Sequence, residues 1–182
     1  MYFQLTRDKF FEVGIVEPED LPLELSFISG SVITQVADAP WTFMTNASAR
    51  EFLPDFSGGS IPVMSQRLLS LLEQAGVDNL QKFPILVKSE VNGTIWDGYF
   101  AVNVVGVVQC ADLPKSEYDE IGPDLYDFDV LAIDANRTKG ALLFRLQESP
   151  SRLIMHKSVG KYIMENDLRN TLTGWDVEEI IQ

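Results

Sequence analysis

Two stretches of the chain carry a helical period. After Ser65, the residues Leu68, Leu69, Leu71, Leu72 and Ala75 fall on one helical face, while Gln66, Arg67, Ser70, Glu73 and Gln74 fill the other. Ser65 is a suitable N-cap and Gly76 a suitable stop. The second helix is predicted from a Ser158 cap through Val159, Tyr162 and Ile163, with Lys161 and Glu165 one turn apart on the exposed side. Each helix follows a short apolar run, Ile61-Pro-Val-Met-Ser in one case and Leu153-Ile-Met-His-Lys-Ser in the other. Strand followed by capped helix therefore occurs twice. The echo continues in Ala75-Gly-Val-Asp-Asn-Leu-Gln and Asn166-Asp-Leu-Arg-Asn-Thr-Leu, which makes two related units, too few for a solenoid.

Between and around these units, β-branched and aromatic residues gather in segments bounded by Gly, Pro, Asn or Asp. They predict strands over residues 10–16, 41–45, 82–91, 94–110, 128–133 and 141–147. Asn92-Gly93 separates two of them and predicts a two-residue hairpin turn. Helices grouped around antiparallel strands point to an α+β fold: a mixed, mainly antiparallel sheet with two strand-helix units, in a single domain over residues 1–182. The breaks at Glu17-Pro-Glu-Asp-Leu-Pro and Pro54-Asp-Phe-Ser-Gly-Gly-Ser read as loops within that domain, because apolar strand material lies on both sides of each.

Composition narrows the function. A chain of 182 residues, 46% hydrophobic, can bury one substantial core. Its net charge of -13 excludes a nucleic-acid binder and disfavours anionic membranes, since both kinds of recognition draw on clustered Lys and Arg. One cysteine and one histidine exclude an internal disulfide, a thiolate zinc cluster and most histidine metal sites. The longest apolar stretch, residues 100–111, is interrupted by Asn103 and Gln109 and reads as a buried strand, not a membrane span. The N-terminal segment shows no basic region leading into an apolar stretch, so a cytoplasmic location is expected. A lone Cys110 agrees with a reducing compartment, and the sequons at Asn46, Asn92 and Asn136 carry no weight without a secretory route.

The acidic excess is uneven. More than half of it sits in residues 112–134, where Asp112, Glu117, Asp119, Glu120, Asp124, Asp127, Asp129 and Asp134 face a single base, Lys115. Divalent cations could be held there by Asp127 with Asp129 or Asp112 with Asp134, but Asp124-Leu-Tyr-Asp-Phe-Asp-Val lacks calcium-loop spacing. A solvated acidic loop is the plainer expectation. Cys110 and His156 could form a nucleophile and base, yet Cys110 ends an apolar run and fits a buried structural role, while His156 fits a cap or an exposed strand end. Ser57-Gly-Gly-Ser60 lacks the Walker lysine and is separated from the next helix by residues 61–64, so it reads as a turn. Trp41, Phe43, Trp96, Tyr99 and Phe100 lie on strand-like segments and are expected in the core.

The segment Pro62-Val-Met-Ser-Gln-Arg-Leu-Leu-Ser-Leu-Leu-Glu-Gln-Ala-Gly-Val-Asp-Asn-Leu-Gln-Lys-Phe-Pro-Ile, then Tyr99-Phe-Ala-Val-Asn-Val-Val-Gly-Val-Val-Gln-Cys-Ala-Asp-Leu-Pro-Lys-Ser, Leu143-Phe-Arg-Leu-Gln-Glu and Leu172-Thr-Gly-Trp-Asp-Val together resemble a bacterial family. It is that of the immunity proteins of polymorphic toxin systems, of the type first defined from a myxobacterial immunity protein. The resemblance covers the chain from about residue 60 to the end and covers residues 1–60 less well. It implies a cytosolic protein, encoded beside a secreted toxin, that binds and neutralises the toxin in the producing cell. It defines no catalytic residues and no cofactor. Ser65, Asn103, Asp112, Ser116 and Arg145 match polar positions of the pattern, and a cap, a strand end, a turn and a core-edge ion pair explain them equally well.

The expectation is therefore an immunity protein, not an enzyme, that occludes a cognate toxin. Asp119, Glu120, Asp124, Asp127 and Asp129 are the residues expected to meet a basic surface of that partner. The alternative is an acidic-cleft ligand- or metal-binding domain or an enzyme of unknown substrate. Exposed edge strands would also be compatible with a homo-oligomer.

Overall fold

The computed structural model describes residues 1–18, 21, 26–34, 40–167 and 171–182. Its strands in chain order are β1 (Tyr2–Arg7), β2 (Ile15–Val16), β3 (Trp41–Thr45), β4 (Phe56–Ser57), β5 (Val63–Ser65), β6 (Leu80–Ser89), β7 (Ile95–Val104), β8 (Val107–Val108), β9 (Glu117–Gly122), β10 (Leu125–Val130), β11 (Leu143–Leu146), β12 (Ser149–His156) and β13 (Trp175–Glu179). Helix α1 (Gln66–Gln74) follows β5, and α2 (Lys157–Asn166) follows β12, as the repeated strand-helix pattern predicts. One sheet has the order β13-β1-β12-β11-β8, a second has β2-β3-β6-β7-β5-β4, and β9 with β10 forms a separate two-stranded ribbon. Among the pairings of the described strands, β3–β6 and β8–β11 are parallel and the rest antiparallel, so the fold is α+β with mixed, mainly antiparallel sheets.

Alternation along the strands explains the layering. Leu5, Leu143, Leu153 and Met155 from the first sheet join Met64, Val102 and Val104 from the second in one cluster with Leu68, Leu69 and Leu72 of α1 and Val159 and Ile163 of α2. The two helices thus share a core with the facing sides of both sheets. The opposite face of the second sheet packs Phe43, Ile85, Val87 and Ala101 against Phe27, Ala47 and Leu53. The opposite face of the first sheet packs Tyr2, Phe144, Leu146 and Ile154 against Cys110, Phe128 and Ile133. Each fully buried Leu, Ile or Phe contributes about 1.5–3 kcal/mol of transfer free energy, so these three clusters outweigh any single polar contact.

Helix ends follow local chemistry. Ser65 Oγ accepts from the Leu68 N–H at 3.1 Å, and after α1 the Gly76 N–H donates to Glu73 O while the Val77 N–H donates to Leu72 O, the paired bonds of a Schellman stop. The second cap differs from expectation: α2 begins at Lys157, and the cap is His156, whose Nδ1 accepts from the Ser158 N–H. The imidazole nitrogen reaches where the hydroxyl of Ser158 was expected to act.

The structure changes several strand boundaries. The long apolar run expected as one strand over residues 94–110 is broken after Val104; Gly106, at φ +103, turns the chain so that β7 stays in one sheet and β8 pairs with β11 in the other. Residues 10–16 yield only β2, because Asp8 accepts from the Phe10 and Phe11 N–H groups in a turn that leaves Phe10 exposed. Asn92-Gly93 does lie in a hairpin, but Ser89 N bonds Thr94 O, so the connection runs from Glu90 to Gly93 and exceeds two residues. The expected 128–133 strand is β10, which starts earlier, at Leu125. Of the Ser57 to Ser60 segment expected as a turn, Ser57 ends β4 and pairs with Val63, and Gly58 to Ser60 lie in the connection to β5. Parts of the Glu17-Pro-Glu-Asp-Leu-Pro loop and of the echo after α2 lie outside the described residues.

Candidate functional site

The five acids singled out in the sequence, Asp119, Glu120, Asp124, Asp127 and Asp129, are all exposed and share one ribbon. The segment is thus a two-stranded ribbon and not the solvated loop that its composition suggests. Asp119 lies directly opposite Asp127, and Glu120 opposite Tyr126. Strand alternation therefore places Asp119 and Asp127 on one face and Tyr118, Glu120, Tyr126 and Phe128 on the other. Asp124 sits in the connecting turn with φ +56.

Aromatic packing holds the ribbon down. Tyr118 meets Tyr126 and Phe128 edge-on, with ring centroids 4.9 and 5.8 Å apart, and Phe128 is only 4% exposed. The Tyr126 N–H donates to Glu148 O at 2.8 Å, and Arg152 Nη2 donates to Phe128 O at 2.6 Å while its guanidinium lies 5.8 Å from the Phe128 ring centre. The same nitrogen meets Asp127 at 3.3 Å. Asp127 is the one member of the five with an ion pair among the described residues; the others face water. Burial, then the charges of Glu120 and Asp124, raise the Tyr126 hydroxyl pKa, so the phenol stays neutral beside these carboxylates. Two like charges opposed across a ladder destabilise it by a few tenths of a kcal/mol, a strain that a cationic partner would relieve.

A second region emerges that composition did not mark. Between the start of α1, the segment after α2 and the 51–55 loop lies an open cleft of about 920 Å³ lined by Phe52, Leu53, Trp96 and Tyr99 together with Glu51, Asp55, Arg67 and Asp167. Its floor is a closed polar network. Asp55 accepts from Ser65 Oγ at 2.5 Å, from Arg67 Nη2 at 2.6 Å and from the Thr173 N–H at 2.8 Å, and Arg67 also donates to Thr171 Oγ1 and Thr171 O at 2.7 Å each. Ser65 thus accepts from α1 while donating to Asp55. Burial, reinforced by the Asp55 charge, pushes the Tyr99 phenol up to about 12.

The aromatic wall depends on a bulge. Trp96 and Tyr99 are three apart, which on a regular strand would put them on opposite faces. Ile85 pairs with Tyr99 and Val87 with Trp96, so β7 carries one residue more than β6 there, with Gly98 at φ +76. The extra residue brings both rings to the same face. Trp96 and Tyr99 are consequently half-buried at the cleft, whereas Trp41 and Phe43 lie in the core as expected.

With this geometry in place, comparison with known families is decisive. The model of the immunity protein family Imm11 matches residues 15–181. The chain belongs to the Imm11 immunity protein family. The match takes in most of the segment before residue 60, where the resemblance read from the motifs is thinner. A search of curated proteins found no match. Membership of an immunity protein family implies a toxin as the partner of this Imm11 protein.

The remaining candidates in this Imm11 chain have structural explanations. Cys110 is fully buried, burial pushes its thiol up to about 12, and among the described residues no hydrogen bond joins it to His156, which caps α2. Asp112 is paired with Lys115, and Ser116 Oγ donates to Asp112 O and accepts from the Ala132 N–H, closing the turn. Asn103 donates to Ser31 O and to Gln81 at 2.8 Å each. Arg145 has no ion pair among the described residues, contrary to the core-edge pair expected. It is fully buried, Nη1 donates to Pro150 O at 2.8 Å, and burial pulls its guanidinium down to about 10. Among the described residues no group of three or more His, Cys, Asp or Glu side chains is arranged to hold a metal ion, and no helix is long and apolar enough to cross a membrane.

Proposed function

We propose that this protein binds a cognate toxin in the cytoplasm of the producing cell and neutralises it by occlusion, with no chemical step of its own. The observation that carries this reading is the family match over residues 15–181. The acidic ribbon supports its finer part, that a basic surface of the toxin docks on Asp119, Glu120, Asp124, Asp127 and Asp129. Exposed, largely unpaired carboxylates steer an oppositely charged partner during diffusional encounter and reject like-charged ones, while buried aromatic or aliphatic anchors supply most of the affinity.

The test is to produce the product of the neighbouring toxin gene in a catalytically disabled form and measure its binding at low and high salt. In a variant carrying D119N, E120Q, D124N, D127N and D129N, the association rate at low salt is expected to fall about 10-fold or more and to lose most of its salt dependence. Asparagine tolerates the left-handed backbone at Asp124, so the turn is preserved. Binding with unchanged rate and salt dependence would refute the role of the ribbon. Absence of any binding by the wild-type protein would refute the immunity reading.

A further inference from the structure

The cleft beneath Phe52, Trp96 and Tyr99 is not used by the ribbon, and its chemistry selects its occupant. We infer that it is a receptor for one basic side chain of the partner protein, arginine above all, stacked on the aromatic wall and paired with Glu51; that the partner is the toxin rests on the immunity reading. Phe52 is 82% exposed, so the wall presents an aromatic face with nothing described covering it. Of the charges that the described residues bring to the cleft, Asp55 and Arg67 cancel each other at 2.6 Å, which leaves Glu51 and Asp167.

Those two carboxylates differ in availability. Asp167 accepts from Thr171 Oγ1 and from the Leu172 N–H, one bond on each oxygen. Glu51 uses Oε2 to accept from the Ser48 N–H at 2.6 Å, and no residue other than Ser48 donates to its carboxylate among the described residues. The Ser48 hydroxyl first, and then its backbone N–H, hold the Glu51 carboxyl below its usual range, so it is ionised at neutral pH.

Three kinds of anchor can be weighed against this lining. An apolar anchor would cover the carboxylates of Glu51 and Asp167 without compensation and incur their desolvation. An anionic anchor would meet net negative charge. A guanidinium satisfies both requirements, because its flat face stacks on Trp, Tyr or Phe rings while its edge donates to a carboxylate. Lysine offers a point charge without the plate and should fit less well. The overall charge of -13 favours the same sign of partner as the cleft does.

A small probe tests the receptor without the toxin. Titration of the full chain with N-acetylarginine N-methylamide, followed by the side-chain indole NMR signal of Trp96 assigned through W96F, should give a saturable shift. The lysine analogue should bind more weakly, and the leucine and glutamate analogues should give no saturable shift. E51Q and F52A change exposed side chains, so both should keep the fold, verified by an unchanged spectrum elsewhere, and both should reduce the arginine response. No arginine response in the wild type, or an equal response to leucine, overturns the inference.

With the toxin, F52A is expected to weaken binding by about 30-fold, the scale of an interface hot spot, mostly through faster dissociation. Toxin binding that is unchanged within twofold in both F52A and E51Q overturns the cleft while leaving the immunity reading intact. If the wild-type chain binds no toxin, the immunity reading fails and the arginine titration alone decides the cleft.

Discussion

The acidic ribbon and the aromatic cleft are opposite solutions to presenting a surface. The ribbon comes from one continuous stretch, residues 117–130, and its charged face is a local consequence of strand alternation. Its exposed acids make one ion pair among the described residues, and the element depends on Phe128 and Arg152 for attachment. The cleft draws on the 51–55 loop, the first turn of α1, the bulge in β7 and the segment after α2. Its central carboxylate, Asp55, is satisfied from three directions before any partner arrives. The ribbon can therefore act at long range through charge, while the cleft can act only on contact, through preorganised shape. If both regions meet the partner as proposed, encounter and residence are separable, which is the division expected of an interface with a charged steering element and a small anchoring site.

That comparison can be broken at its strongest point first. Phe128→Ala removes the ribbon's buried anchor and the ring against which Arg152 packs, and should cost roughly 3–5 kcal/mol in denaturant unfolding. A loss below about 1 kcal/mol would mean that the ribbon is not seated through this residue. Asp55→Ala should follow, at roughly 2–3 kcal/mol, because it strips a partner from Ser65 Oγ and leaves the Thr173 N–H unpaired; Arg67, with its side chain 47% exposed, can recover water and limits the cost. Equal effects from Asp55→Ala and from a ribbon acid would erase the distinction between the two regions. The fivefold ribbon neutralisation should leave stability almost unchanged and act on the association rate. The smallest effect sharpens the contrast most: Asp119→Asn should raise stability by a few tenths of a kcal/mol at low salt, since Asp119 faces Asp127 across the ladder, and the gain should vanish at high salt. A destabilised Asp119→Asn would show that the carboxylate does structural work.

How much of each region can be read from the chain follows the same line. The ribbon's acids are visible because they are adjacent in sequence, although their composition suggests a loop and hides the period-two pattern of Tyr118, Tyr126 and Phe128 that makes them a sheet. In the cleft, Ser65 is recognisable as a cap, but nothing near it announces Asp55 as its partner, and Trp96 and Tyr99 read as core because aromatic residues on strand-like segments are usually buried. The signal that could have found them is Gly98 inside an aromatic strand segment, a mark of a bulge. The likeness of the two strand-helix units is legible for a similar reason: caps, stops and apolar periods act over a few residues.

Local chemistry is what the amino-acid sequence settled alone. It specified where α1 starts and stops, that strand precedes helix twice, that the chain is α+β, that the acidic excess lies in one segment, and which bacterial family the motifs resemble. Tertiary structure decided everything that needs residues far apart to meet. It broke the apolar 94–110 run at Gly106 so that one segment serves two sheets, left Arg145 buried without the expected ion pair, and set Asp55 against Arg67 and Thr173. The physical reason is range. Hydrogen bonds of a cap or a turn close within a few residues and are encoded where they act, whereas the sharing of a sheet face or a buried carboxylate depends on which distant segments the hydrophobic core brings together.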